Sequence, residues 1–434
     1  MLQVAQGVGL MLFSLGLDQA YAREFHHASN RAVLFLRCAG PGFGLLLAFF
    51  LAAGVYGFDK FAALVYGVSD FSLGLVTWLC LLFGFAVRYL AMLLRMNERA
   101  LQFSFTQLFP KIVFLLVVVV VAFSETSRTY LDLSIGHVAG FFITAFFFAY
   151  STKSLWRVSV WKVDLQAEYA RLFQYALPLV VTGVAAWGLK AVDKVSLRAF
   201  STLAELGIYS VAVTVAGGVA ILASVFNTIW SPIVYKMAAD EHAKDDLVFA
   251  GRVIELIVFL LFVVTGLSSW MVVYLVPAQY SAVDVLLPLC VFAPLIYSLS
   301  EAMTIGINLA RKTGYALLAT VVAFVFGVAL NYFLVPGFGA VGAGIATATA
   351  FFVYLILRFE FSRRVWSEQP RFRIYTMVFG CLTVATLNAS IGGLPDYWTQ
   401  CSWLLVGTLG VFFYKKELRY VAAWAHVLSA GGSK

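Results

Sequence analysis

Some thirteen apolar stretches run the length of this 434-residue chain, and a charge pattern orders them. Hydrocarbon offers an exposed N–H or C=O no partner, so a long apolar run crosses it as a helix that closes its own backbone bonds. The stretches fall near 2–22, 32–56, 72–94, 103–123, 132–150, 174–193, 208–230, 252–275, 284–306, 315–335, 340–360, 374–391 and 399–414. Twenty-three of the 30 basic residues collect in or beside every second gap, among them Arg31, Arg95, Arg99, Lys153, Lys244, Arg311, Arg358, Arg363, Arg373 and Lys415. The opposite gaps hold only Lys60, Arg128, Lys194 and Arg198. Basic loops stay on the cytoplasmic side, so the first set marks the cytoplasm. The pattern predicts an all-α polytopic protein of the inner membrane, with Met1 outside and the C-terminus in the cytoplasm.

Composition narrows the function. With 62% hydrophobic and 12% charged residues, a soluble globular chain is excluded. The net charge of +8 sits at helix ends on one side, where anionic headgroups lie, so nucleic acid is not the expected partner and membrane lipids are. Cys38, Cys80, Cys290, Cys381 and Cys401 show no paired spacing, which argues against a disulfide framework, a metal site or a metal cofactor. No cleavable signal peptide is visible, because Met1 runs directly into an apolar segment. No phosphate-binding Gly-x-x-x-x-Gly-Lys-Ser/Thr run exists, so an ATPase is not expected. No outer gap is long enough for a catalytic domain. A transporter is expected, not an enzyme.

The two halves resemble each other. Residues 87–123 read span, basic linker, span, and residues 301–335 read the same way. Working outward, 2–22 pairs with 208–230, 32–56 with 252–275 and 132–150 with 340–360, while 174–193 has no partner. The pattern predicts a parallel repeat. It divides the chain into a five-helix lobe at 1–150, a cytoplasmic amphipathic linker at 151–173, a six-helix lobe at 174–360, and a C-terminal helix pair with a tail at 361–434. The first lobe lacks its opening helix, so the reading frame is expected to begin upstream of Met1.

Several stretches carry a family resemblance. They are Leu15 to Phe25 (LGLDQAYAREF), Tyr175 to Leu179 (YALPL) leading to Asp193-Lys194, Glu205 to Ala212 (ELGIYSVA), Phe226 to Pro232 (FNTIWSP), and Asn331 to Thr347. In order and spacing they resemble the polysaccharide (O-antigen, Wzx-type) flippase branch of the MOP (multidrug/oligosaccharidyl-lipid/polysaccharide) exporter superfamily. That superfamily also holds lipid II flippases and MATE drug exporters. Lys194 stands where the family tends to have Arg. The resemblance implies two helical lobes around a cavity that opens alternately to each face. It further implies a cargo of undecaprenyl-diphosphate-linked oligosaccharide, coupling to H⁺ or Na⁺, and a polysaccharide polymerase and chain-length regulator as partners. A MATE-like drug exporter and a lipid II flippase are the alternatives.

A flippase must shield a polar sugar–pyrophosphate head, so charges inside spans are the candidates. Arg88, Met92, Arg95 and Arg99 follow helical spacing, and the guanidinium groups among them suit phosphate oxygens. Arg95 and Arg99 also have the option of reaching out to headgroups. Lys111 follows Pro110 inside a span. Lys190, Asp193 and Lys194 lie at i, i+3 and i+4, either as an interfacial salt-bridge cluster or with Asp193 in an outer gate. Glu301 is either a site for a coupling ion or a structural hydrogen-bond partner between helices. Asp18, Arg23 and Glu24 close the first span, as gate or helix cap. His137 reads as a packed polar residue in preference to a proton carrier, and Gly339, Gly342, Gly344, Ala346 and Ala350 as a close-packing face.

Overall fold

A computed structural model describes residues 1–25, 30–123, 130–156, 169–219, 244–304, 307, 312–365, 372–391, 396–415 and 417. The Phe226–Pro232 motif, most of the 151–173 linker, Arg311 and the C-terminal tail lie outside the described residues. Every regular element among the described residues is helical, as the apolar runs predict. Eight of these helices are long and apolar enough to cross a membrane, so the chain is a multi-pass membrane protein. It divides into two compact units, Met1–Trp187 and Gly188–Lys434.

The first unit opens with α1 (Leu2–Ser14) and α2 (Leu17–Glu24). The sequence predicts one helix over 2–22. The structure breaks it, because Leu15 (φ 50°) and Gly16 (φ 68°) are both left-handed. Gly16 suits the break twice over: it tolerates positive φ, and a Cβ there would lie 2.5 Å from the Ala176 carbonyl oxygen. Next come α3 (Arg31–Tyr56), capped by the Asn30 side chain on the Ala32 and Val33 amides, and α4 (Phe58–Tyr66). The sequence predicts no helix in the gap that α4 fills. Two positive-φ glycines, Gly57 and Gly67, bracket it, and Tyr66 and Thr77 join their hydroxyls at 2.7 Å.

The unit continues with α5 (Phe71–Met96), α6 (Ala100–Phe123), α7 (Tyr130–Ser151) and the single turn α8 (Lys153–Trp156). The long helix α9 (Tyr169–Phe200) runs from this unit into the next. Asp70 caps α5 by accepting from the Leu73 amide at 3.1 Å. Helix α5 is the centre of the unit: Leu81, Phe85, Tyr89 and Leu93 pack with Tyr21, Phe25, Phe35 and Cys38. The Tyr89 hydroxyl donates to the Cys38 carbonyl at 2.9 Å. Such a bond between helices supplies specificity that apolar contact alone cannot give in lipid. Helix α6 is peripheral. Only 11% of its apolar window is buried, against 56% for α5, and Leu101, Phe105, Leu108, Ile112 and Leu116 face outward.

The second unit holds α10 (Leu203–Val219), α11 (Lys244–Ser268), α12 (Val283–Met303), α13 (Thr313–Val365), α14 (Phe372–Ser390) and α15 (Asp396–Phe413). Helix α12 is its core, with 72% of the window buried. At 53 residues α13 would measure about 80 Å if straight, far more than one hydrocarbon layer needs. It is a hairpin of two limbs, 313–338 and 340–365, matching the spans read at 315–335 and 340–360. Tyr315 packs on Phe361 with centroids 5.0 Å apart, which returns the second limb along the first. Gly339 (φ 51°, ψ −128°) makes the turn. The expectation of a pure packing face is therefore corrected at Gly339, while Gly344 does approach Leu289 of α12. Glu205 on α10 accepts from the Ala340 amide at 2.8 Å and so caps the second limb.

Candidate functional site

The first unit contains a cavity of about 500 Å³. Helix α5 contributes Arg88, Ala91, Met92 and Arg95, spaced i, i+3, i+4 and i+7, so one face of the helix looks into it. Helix α6 contributes Phe103, Thr106, Gln107, Pro110, Lys111 and Phe114, again one face. Its opposite face is the apolar one turned outward. Pro110 and Gly140 bring α6 and α7 close: a Cβ on Gly140 would lie 2.5 Å from the Pro110 carbonyl oxygen. Gln3 and Gln6 of α1, Asp18 and Gln19 of α2, and His137 and Phe141 of α7 complete the polar and aromatic wall.

Three of the four cations predicted for a binding cavity, Arg88, Arg95 and Lys111, thus share one cavity, and Asp18 joins them. Arg88 donates through Nη2 and Nε to Asp18 Oδ2, at 2.6 and 3.1 Å. The break at Leu15–Gly16 makes this pairing possible, because it redirects α2 relative to α1. The acid is buried and the guanidinium is one-third exposed, with side-chain exposures of 3% and 33%. Gln19 adds a weaker bond to the same carboxylate at 3.3 Å. Arg95 and Lys111 are exposed. Arg23 lies on α2, but its side chain lies outside the described residues.

The remaining candidates belong to the second unit. Lys190 sits 4.4 Å above the Tyr297 ring, a cation–π contact, instead of joining Asp193 as its i, i+3 spacing predicts. Asp193 is buried. It pairs with Lys194 at 3.3 Å and accepts from the Tyr209 hydroxyl at 2.6 Å. Glu301 on α12 pairs with Arg358 on the second limb of α13, and Arg358 also donates to the Tyr354 hydroxyl at 2.8 Å. The sequence places Arg358 at a span edge beside a basic gap, and the structure adds its partner: Arg358 is 3% exposed and pairs with Glu301. A third polar group joins Glu255 of α11, Arg373 of α14, Tyr414 and Glu417, with Arg373 donating to Glu417 at 3.0 Å and Tyr414 to Glu255. It fastens the C-terminal helices to α11.

Several residues escape the sequence reading. Gln6 is 7% exposed, and His137 bonds it through Nε2 and Oε1 at 3.1 Å. Gln3 and Gln6, three apart in an apolar helix, were a usable signal, as were Thr106, Gln107 and Lys111 on one face of α6. Tyr297/Glu301 and Tyr354/Arg358 are matching i, i+4 pairs whose apposition only the fold reveals.

No family model matches the chain. Among curated proteins it is similar to the probable low-salt glycan biosynthesis flippase Agl15 of Haloferax volcanii, 21% identical over 235 residues. That match spans 51% of this chain and 50% of the relative, about half the length of each. Among solved structures, lipid II flippase MurJ in an inward closed conformation superposes with a TM-score of 0.65 at 14% identity, covering 95% of this chain and 93% of that one. An outward-facing MATE multidrug transporter of the MOP superfamily gives a TM-score of 0.49 at 14% identity, covering 86% and 84%. The chain has the polytopic all-α fold of the lipid II flippase.

Proposed function

We propose that this chain is a flippase for a lipid-linked oligosaccharide. It carries undecaprenyl-diphosphate-linked repeat units from the cytoplasmic to the outer leaflet of a bacterial inner membrane, for O-antigen, capsule or exopolysaccharide assembly. The observation that supports this reading is the cavity of the first unit, where Arg88, Arg95 and Lys111 meet and Asp18, the one acid among the described lining residues, is buried and already paired with Arg88. A pyrophosphate head is anionic and takes guanidinium groups bidentately. An organic cation would instead call for an excess of acids. The glycan biosynthesis flippase and the lipid II flippase found as relatives agree with the class.

In this reading the head enters the cavity while the polyprenyl tail stays in the bilayer. Alternating access moves the head across, coupled to H⁺ or Na⁺. Glu301 and Asp193 are the candidates for coupling and gating, and Arg23 for the cytoplasmic gate. The C-terminus faces the cytoplasm, and a polymerase and a chain-length regulator receive the exported unit.

The test is mass spectrometry of undecaprenyl-linked lipids from a deletion strain, with surface polysaccharide assayed alongside. Single repeat units accumulating on the diphosphate carrier, with loss of surface polymer, are expected. Normal lipid pools and normal polymer would overturn the reading and favour drug export.

A further inference from the structure

Gln6 is an anomaly in the cavity wall. It is more than nine-tenths buried, and its Oε1 is engaged by His137, yet its Nε2 has no hydrogen-bond partner among the described residues. A buried amide N–H without an acceptor is costly and calls for a partner that these side chains do not supply. The amide is also held firmly. Its oxygen only accepts, so the His137 Nε2 carries the proton between them. The His137 ring is itself fixed between Phe114, edge-on at 5.7 Å, and Phe141 at 5.1 Å. Gly84 of α5 leaves the notch for the Nε2; a Cβ there would lie 2.5 Å from it.

The position of this amide relative to the cations identifies its partner. Gln6 is level with Gly84, four residues from Arg88 on α5, which is about 6 Å along the helix. A phosphate is met by Arg88, Arg95 and Lys111. One turn beyond Arg88, on the side away from Arg95, the wall changes character: an uncharged amide, an imidazole, and the rings of Phe114 and Phe141. Neutral donors match the hydroxyl or acetamido oxygens of a sugar, and aromatic faces match its C–H face.

Resting on the flippase reading above, we propose that Gln6, positioned by His137, is the recognition point for the first sugar of the cargo, next to the diphosphate. Gln6 then discriminates glycosylated from bare carrier, while His137 acts as a positioning residue.

The test measures binding of two probes to the full chain in nanodiscs: undecaprenyl diphosphate and undecaprenyl-diphospho-N-acetylglucosamine. Wild type is expected to bind the glycosylated probe about 10-fold more tightly than the bare one. Gln6→Leu is expected to abolish that preference and leave affinity for the bare diphosphate within about 2-fold. His137→Phe keeps the aromatic packing and releases the amide, so it is expected to shrink the same preference without touching the bare probe. It carries the test alone should Gln6→Leu not fold. A preference that survives whichever variants fold, or that wild type never shows, overturns the inference. Equal loss for both probes overturns it too, since that is the mark of a structural role. Failure of wild type to bind bare undecaprenyl diphosphate would sink the flippase reading, and this inference with it.

Discussion

The two units each hold an ion pair between helices, with opposite polarity. In the first, Arg88 is one-third exposed to the cavity and its acid, Asp18, is buried. In the second, Arg358 is buried and its acid, Glu301, is the exposed member, at 4% against 32%. In the expected repeat, residues 87–123 pair with 301–335, so nearly equivalent positions, Arg88 and Glu301, carry a cation in one unit and an anion in the other. An intramembrane charge is tolerated only when paired or hydrated. Each unit meets that requirement by burying one partner and leaving the other open. In the reading proposed above, the open partner is what a substrate or ion meets: the anionic head in the first unit and a coupling cation in the second.

This contrast has a measurable consequence for stability. Removing the exposed member of a pair strands a buried charge, and stranding costs about 3–5 kcal/mol. Removing the buried member leaves an exposed charge that water solvates, at a cost of about 1 kcal/mol. Arg88→Met is therefore expected to destabilise the chain more than Asp18→Asn. In the second unit the order reverses between cation and anion: Glu301→Leu is expected to destabilise more than Arg358→Met. Unfolding of the full chain in nanodiscs checks all four variants. The same order of cation and anion in both units would break the comparison.

A smaller effect is expected at the turn of α13. Gly339 has a backbone conformation that side-chain-bearing residues avoid, and a Cβ there would lie 2.7 Å from Glu205 Oε2. Gly339→Ala is expected to cost about 1–3 kcal/mol. Glu205→Ala removes only the cap on Ala340, for about 1 kcal/mol. The same unfolding measurement separates the two. A Gly339→Ala variant as stable as wild type would remove the strain argument.

Much of the fold was legible because hydrocarbon imposes simple rules. Apolar length gave α3, α5, α6, α7 and α12 to within a few residues, and a turn was visible between 335 and 340. The break in the first span was not, because Leu15–Gly16 sits in an apolar run and only the packing of Gly16 against Ala176 reveals why the helix stops there. Helix α4 was hidden for the opposite reason: Asp59 and Lys60 lower the apolar signal of a short segment at the end of a span. In the site, Arg88, Arg95 and Lys111 stood out as charges in or beside apolar helices. Gln6 did not, since it carries no charge and its burial against His137 is set by the fold. The pairing of Arg358 was hidden because its position near a basic gap is accounted for by topology alone, and its partner lies 57 residues away.

Arg95 and Lys111 offer the most direct test of the cationic cavity, because both are exposed and their neutralisation strands no buried partner among the described residues. The measurement is equilibrium binding of undecaprenyl diphosphate to the full chain in nanodiscs, for wild type and for the Arg95→Gln/Lys111→Gln double variant. A loss of about 10-fold or more is predicted, the size expected for charge-assisted hydrogen bonds to phosphate. Unchanged or tighter binding by the double variant would contradict a cationic site for the head in the first unit.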